Sequence, residues 1–204
     1  MSDKNHWDQI YRTKSPDAVS WFAAHLDTSL RMIQHVAPAP EAVIIDVGGG
    51  EATLVDDLLA LGYRDLTVLD ISETAVQAMR ERLGAKAASV QWLVSDVTTS
   101  TLPPGRYEVW HDRAVFHFLT DPADRQAYVA RATQSLKADG YAIVATFGPE
   151  GPLKCSGLDT VRYDAARLQA EFEAGFALVE SKIESHQTPF GTNQQFLYCL
   201  FKRK

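Results

Sequence analysis

The sequence predicts an α/β domain built on a mostly parallel sheet with helices packed on both faces. Three observations carry this. Short apolar, β-branched runs alternate with amphipathic helical stretches along most of the chain. The first such run ends in Gly48-Gly49-Gly50, the kind of tight turn that opens a ligand crevice at a sheet edge. The last two apolar runs have no helix between them, so they form an antiparallel pair and the sheet is mixed at that end.

The elements follow in order. Asp3 to Arg12 reads as a short helix with Trp7, Ile10 and Tyr11 on one side, followed by a turn at Ser15-Pro16-Asp17. A second helix runs from about Thr28 to Val36 and is stopped by Pro38 and Pro40. Ala42–Val47 is the first strand. Glu51 to Leu61 is helical, with Leu54, Val55, Leu58 and Leu59 on one face and Gly62 as its C-cap. Asp65–Leu69 is the second strand, Ser72–Leu83 a helix and Val90–Val94 the third strand. The fourth strand spans Tyr107–His111, and a helix covers Pro122–Leu136. Tyr141–Phe147 is the fifth strand, entered through an Asp139-Gly140 turn. The segment from Phe147 to Gly157 holds too much Gly and Pro for a regular element. Asp164–Glu173 is the last helix, and Ala177–Ser185 and Gln195–Phe201 are the final strands, joined through a loop containing Pro189-Phe190-Gly191. The expected organisation is one domain over residues 1–204, with residues 1–40 a helical cap and 41–204 the sheet core.

Composition excludes several classes. With 46% hydrophobic and 23% charged residues the chain is an ordinary globular sequence that needs no staple to fold. Its net charge of −6 argues against nucleic-acid binding, which depends on clustered Lys and Arg. Two cysteines, Cys155 and Cys199, make no C-x-x-C pair, and no set of His and carboxylates has metal-ligand spacing, so no metal is expected. A polar opening without an apolar stretch behind it, and no run near membrane-span length, give the expectation of a cytoplasmic chain with no membrane partner.

The glycine turn has charged company. A dinucleotide fingerprint begun at Gly48 requires Gly or Ala at position 53, where Thr53 stands. Asp46 precedes the turn and Glu51 follows it. Two carboxylates repel a pyrophosphate but suit a ligand with an ammonium and a sulfonium. Asp70 closes the second strand twenty residues beyond Gly50, the spacing at which an acid takes up ribose hydroxyls. Asp96 closes the third strand, placed for an adenine amino group, with Val97 packing the ring. For each acid alone a solvated strand end or an N-cap is the competing reading. Three at successive strand ends, on one sheet edge, are harder to explain that way.

Val43-Ile44-Ile45-Asp46-Val47-Gly48-Gly49-Gly50 resembles motif I of the class I S-adenosylmethionine-dependent methyltransferases. Leu69-Asp70-Ile71-Ser72 is similar to their second motif, Ser95-Asp96-Val97 to their third, and Leu136-Lys137-Ala138-Asp139-Gly140-Tyr141 to the turn before their fifth strand. The resemblance covers about residues 40 to 200. It implies a three-layer Rossmann-like fold whose seven-stranded sheet has order 3-2-1-4-5-7-6 with strand seven antiparallel, and S-adenosylmethionine as methyl donor. It implies a donor site of Asp46, Gly48, Gly50, Asp70, Ile71, Asp96 and Val97.

After the fourth strand, Trp110-His111-Asp112-Arg113-Ala114 is similar to the W-D-R-G-A stretch of thiopurine-type enzymes and the D-K-G-T stretch of class I lysine methyltransferases, with Ala114 departing from the glycine. On that likeness Asp112 and Arg113 sit beside the donor methionine and the acceptor; a surface ion pair is the competing reading. His111 and His117 are candidate bases, or packed core residues. Trp7-x-x-x-Tyr11 resembles the thiopurine-type helix that covers the donor, and Trp21-Phe22 is placed to close over the acceptor. The loops after Phe147 and around Phe190 are expected to shape the acceptor pocket. The amine-holding Asp-Pro-Pro-Tyr motif of nucleic-acid methyltransferases is absent, and the metal site of catechol-type enzymes has no clear counterpart. The expected acceptor is a small molecule with an S, N or O nucleophile. A protein lysine methyltransferase and a donor-binding regulator without turnover are the alternatives, and a nucleotide oxidoreductase is disfavoured by Thr53 and Glu51.

Overall fold

Five residues, Val43–Val47 (β1), form the centre of the molecule, all buried, because β-branched side chains on both faces suit a strand covered by helices above and below. The computed structural model describes residues 4–204. Around β1 lie Asp65–Asp70 (β2), Val90–Val94 (β3), Tyr107–Arg113 (β4), Leu136–Phe147 (β5), Phe176–Gln187 (β8) and Asn193–Arg203 (β9). Their order is β3-β2-β1-β4-β5-β9-β8. β1 to β5 are mutually parallel, while β9 runs antiparallel to both β5 and β8. With β8 and β9 counted as the sixth and seventh strands, this is the order the resemblance implies.

Helices Lys4–Thr13 (α1), Asp27–Val36 (α2), Leu54–Ala60 (α3), Glu73–Leu83 (α4), Pro122–Ser135 (α5) and Ala165–Phe172 (α6) enclose the sheet. Strand alternation splits the core into two layers. Ile44, Val109 and Ile143 face α2 and α3 with Leu54, Leu58 and Ile33; Ile45, Val47, Trp110 and Val144 face α5 and α6 with Tyr128, Leu168 and Phe172. That alternation decides which polar residues of β1 and β4 reach the ligand edge.

The expected helix start at Asp3 lies outside the described residues, within which α1 covers Lys4–Thr13. Three expectations are corrected. The third helix starts at Leu54, because Glu51 and Ala52 are consumed by the turn after the glycines. There is no separate turn before a short fifth strand. β5 begins at Leu136, directly after α5, and absorbs the irregularity as a register shift between Tyr107↔Leu136 and Val109↔Tyr141, with Asp139 at φ 61°. The Gly/Pro-rich stretch after β5 contains a small hairpin, Lys154–Cys155 (β6) with Leu158–Asp159 (β7), turned at Ser156-Gly157. Among the described residues no helix is long and apolar enough to cross a membrane.

Candidate active site

The carboxyl ends of β1 to β4 open into one cleft, roofed by α1 and the segment that follows it. The glycine turn forms its floor. Gly48 and Gly50 both take positive φ, 68° and 54°. A Cβ on Gly48 would meet Val115 Cγ2 at 1.9 Å, and one on Gly50 would meet the Tyr11 hydroxyl at 2.5 Å. Only glycine holds this turn with Val115 and Tyr11 so close. From below, Arg82 straps the turn: its guanidinium donates to the Glu51 and Ala52 carbonyls at 2.8 and 2.7 Å and to Asp56 at 2.6 Å.

The three strand-end acids all line the cleft. Asp70 accepts from Gly50 N–H and Ser72 N–H, each at 2.8 Å, and so ties the glycine turn to the start of α4. Burial is the largest influence on Asp70 and, against those two hydrogen bonds, pushes its pKa up to about 6. Asp96 accepts from Thr98 N–H and Oγ1–H through one oxygen, an Asx turn that fixes the carboxylate. Asp46 accepts from His111 Nδ1–H at 2.7 Å, and His111 Nε2 shares a hydrogen bond of 2.8 Å with Ser29 Oγ. His111 is 1% exposed and has both nitrogens engaged, so it orients Asp46 rather than serving as a free base. Ile71 and Val97 line the same half of the cleft.

Aromatic rings close the roof. Trp7 packs edge-on against Trp21 and Phe118, with centroids 5.9 and 5.1 Å apart, and Tyr11 sits 6.1 Å from Trp7. Trp7 is 8% exposed. Phe22 and Phe147 complete the wall. Arg113 reaches into this end, its Nε donating to the Tyr198 hydroxyl at 3.1 Å and its Nη1 to the Trp21 carbonyl at 2.9 Å, over the Phe196 ring at 4.5 Å.

Two candidates stand elsewhere. Asp112 points to the opposite face of β4 from His111 and Arg113, as strand alternation requires. There it is fully buried, accepts from Val115 N–H, Phe116 N–H and the Tyr128 hydroxyl, and holds the loop beside the cleft in shape. Burial pushes its pKa up to about 6. His117 is also fully buried: its ring stacks on Phe147 at 4.3 Å and Nδ1 accepts from Phe147 N–H. Burial, helped by the Arg113 charge, lowers its pKa to about 3. Neither side chain lines the cleft. Of the two loops expected around the acceptor, the one after β5 contributes Phe147 and Cys155, whereas Pro189-Phe190-Gly191 contributes nothing. The reading of single residues missed Ser29, Arg82 and Tyr198, which act through partners distant in sequence. Among the described residues no group of three or more His, Cys, Asp or Glu is placed to hold a metal.

Residues 44–140 match the family model described as a methyltransferase domain. This match, the sheet order and the cleft make the chain similar to the class I S-adenosylmethionine-dependent methyltransferases. Among its relatives is the eEF1A lysine and N-terminal methyltransferase of Danio rerio, 25% identical over 188 residues, 87% of this chain and 27% of that protein. The chain thus spans about a quarter of that relative's length, and 17% of the mouse counterpart. The solved structure described under conversion of a disulfide bond into a thioacetal group during echinomycin biosynthesis superposes with a TM-score of 0.80 at 18% identity, covering 98% of this chain and 91% of its own. The 1,6-didemethyltoxoflavin-N1-methyltransferase of Burkholderia thailandensis, with S-adenosylhomocysteine bound, gives 0.78 at 19% identity, covering 98% and 87%.

Proposed function

We propose that this chain methylates a small molecule at an S, N or O nucleophile. The observation that carries this reading is the roof: α1 covers the donor end with Trp7 and Tyr11, and Trp21 and Phe22 in the segment up to Leu26 cover the acceptor end, leaving a recessed, mostly apolar cleft rather than an open platform. A sulfonium-bound methyl is what S-adenosylmethionine supplies, and it departs to the nucleophile leaving a neutral thioether. The protein's part is placement in a dry site.

The residues fit that donor. The glycine turn offers close backbone at Gly48 and Gly50. Asp70 is the group for the ribose hydroxyls, Asp96 with Val97 and Ile71 for the adenine, and Asp46, oriented by His111, for the amino group. Trp7 and Tyr11 cover the donor and exclude water. Asp112 and His117 serve by shaping the wall, and Arg113 is the charged group on the acceptor side. Protein lysine methylation is the second reading, favoured by the names of the relatives at 25% identity.

Incubation with methyl-labelled donor and a cell extract, fractionated by size, tests this. Label is expected in the small-molecule fraction. Label confined to protein would establish the second reading, and no label at all, with the donor bound, would leave a regulator.

A further inference from the structure

We infer that the acceptor is a flat aromatic molecule bearing a carboxylate, held by Arg113; this rests on the reading of the cleft as a methyl-transfer site. Among the described residues lining the cleft, Arg113 is the one Lys or Arg, against Asp46, Glu51, Asp70, Asp96 and Asp124. The first four acids come from the carboxyl ends of β1 and β2 and the loops after β1 and β3, the donor half. Arg113 leaves β4 in the other direction. Its partners Tyr198 and Phe196 belong to β9, two strands beyond β4, roughly 10 Å across the sheet from it. The guanidinium therefore lies on the acceptor side.

It is also held rigidly. Tyr198 Oη takes Nε–H, the Trp21 carbonyl takes one Nη1 proton, and the Phe196 ring supports the plane. No hydrogen bond among the described residues engages Nη2. A fixed guanidinium with an unused edge, in a cleft also lined by Trp21, Phe118 and Phe147, matches a planar anion: rings for the rings and a fork for the carboxylate. The same charge opposes an ammonium. It therefore separates the small-acid reading from a lysine acceptor, which would bring a second cation to Arg113.

The test uses the full chain saturated with S-adenosylhomocysteine and titrated calorimetrically with 2-naphthoate, 2-naphthamide and 2-naphthylmethylamine. The naphthoate is expected to bind on the order of tenfold tighter than the amide, with the amine weakest, and Arg113→Gln to erase the difference while S-adenosylhomocysteine affinity is kept. An amine bound as tightly as the acid overturns the inference. So does a loss of S-adenosylhomocysteine affinity in Arg113→Gln with the naphthoate preference intact, which would put the guanidinium on the donor's own carboxylate. Should Arg113→Gln not fold, the unmodified protein's ranking of the three probes, and its weakening by salt, decides the matter. Failure of S-adenosylhomocysteine to bind at all would instead overturn the methyl-transfer reading.

Discussion

Asp70 is the residue at which binding and protonation meet. Its two oxygens are already engaged by Gly50 N–H and Ser72 N–H, and burial raises its pKa to about 6. Ribose hydroxyls are donors, so they favour the ionised carboxylate. Affinity for S-adenosylhomocysteine should rise between pH 5 and pH 7, as this proton is lost. Asp70→Asn should weaken binding by about 2 kcal/mol at pH 7 and flatten the pH dependence. Calorimetric titration at both pH values checks it; an equal slope in the variant would assign the dependence to another group. The twenty-residue spacing beyond Gly50 singles out Asp70 in the sequence, and the structure sets that acid at the cleft. Likeness of the charged pair to a family motif puts Asp112 beside Arg113 at the site. Adjacent strand residues point to opposite faces, and on the α5 side of β4 Asp112 bonds Tyr128 and the following loop instead.

At the scale of elements, strands and helices were legible because each apolar run carries one period and ends at a Gly, Pro or capping residue. What escaped was set by contacts between elements. Glu51 was read as helical on its pattern, but the glycine turn and the Arg82 strap keep that segment non-helical. The docking of α1 was hidden for the same reason. Asp8, an ordinary acid in sequence, takes the Ser72 hydroxyl at 2.7 Å and Thr74 N–H at 3.2 Å, joining α1 to the first turn of α4. Burial works against its charge, yet bonds from Lys4, Ser72 and Thr74 outweigh this and bring its pKa to about 2. Asp8→Ala should remove a cap-like bond, costing about 1 kcal/mol, and loosen the roof locally. Trypsin is then expected to cut after Arg12 and Lys14 faster than in the unmodified chain, with S-adenosylhomocysteine slowing both. Cleavage rates unchanged by the substitution would make the Asp8 contact incidental to the docking of α1.

For the whole molecule, pH sets buried groups against one another. Asp70 and Asp112 have folded pKa values near 6, above the ordinary 3.8. They take up protons in the fold before the unfolded chain does, so their contribution is complete below about pH 4 and is lost as pH rises through 6. His117 runs the other way. Its Nδ1 is committed to Phe147 N–H, its Nε2 is buried without a partner, and its pKa is lowered to about 3 from 6.5. The unfolded chain gains that proton below pH 6.5 and the fold refuses it until about 3, so this contribution is present above 6.5 and drains away as pH falls. Two opposing groups mask the loss in the unmodified protein. His117→Asn exposes it, because an amide oxygen can accept from Phe147 N–H and carries no titrating proton. The variant should melt below the unmodified protein at pH 7.5, having lost ring stacking on Phe147, and recover relative to it at pH 4.5. Scanning calorimetry at the two pH values measures the gap. A gap of the same size at both would mean that the His117 ring is not held neutral by its burial between the end of β5 and the cleft wall.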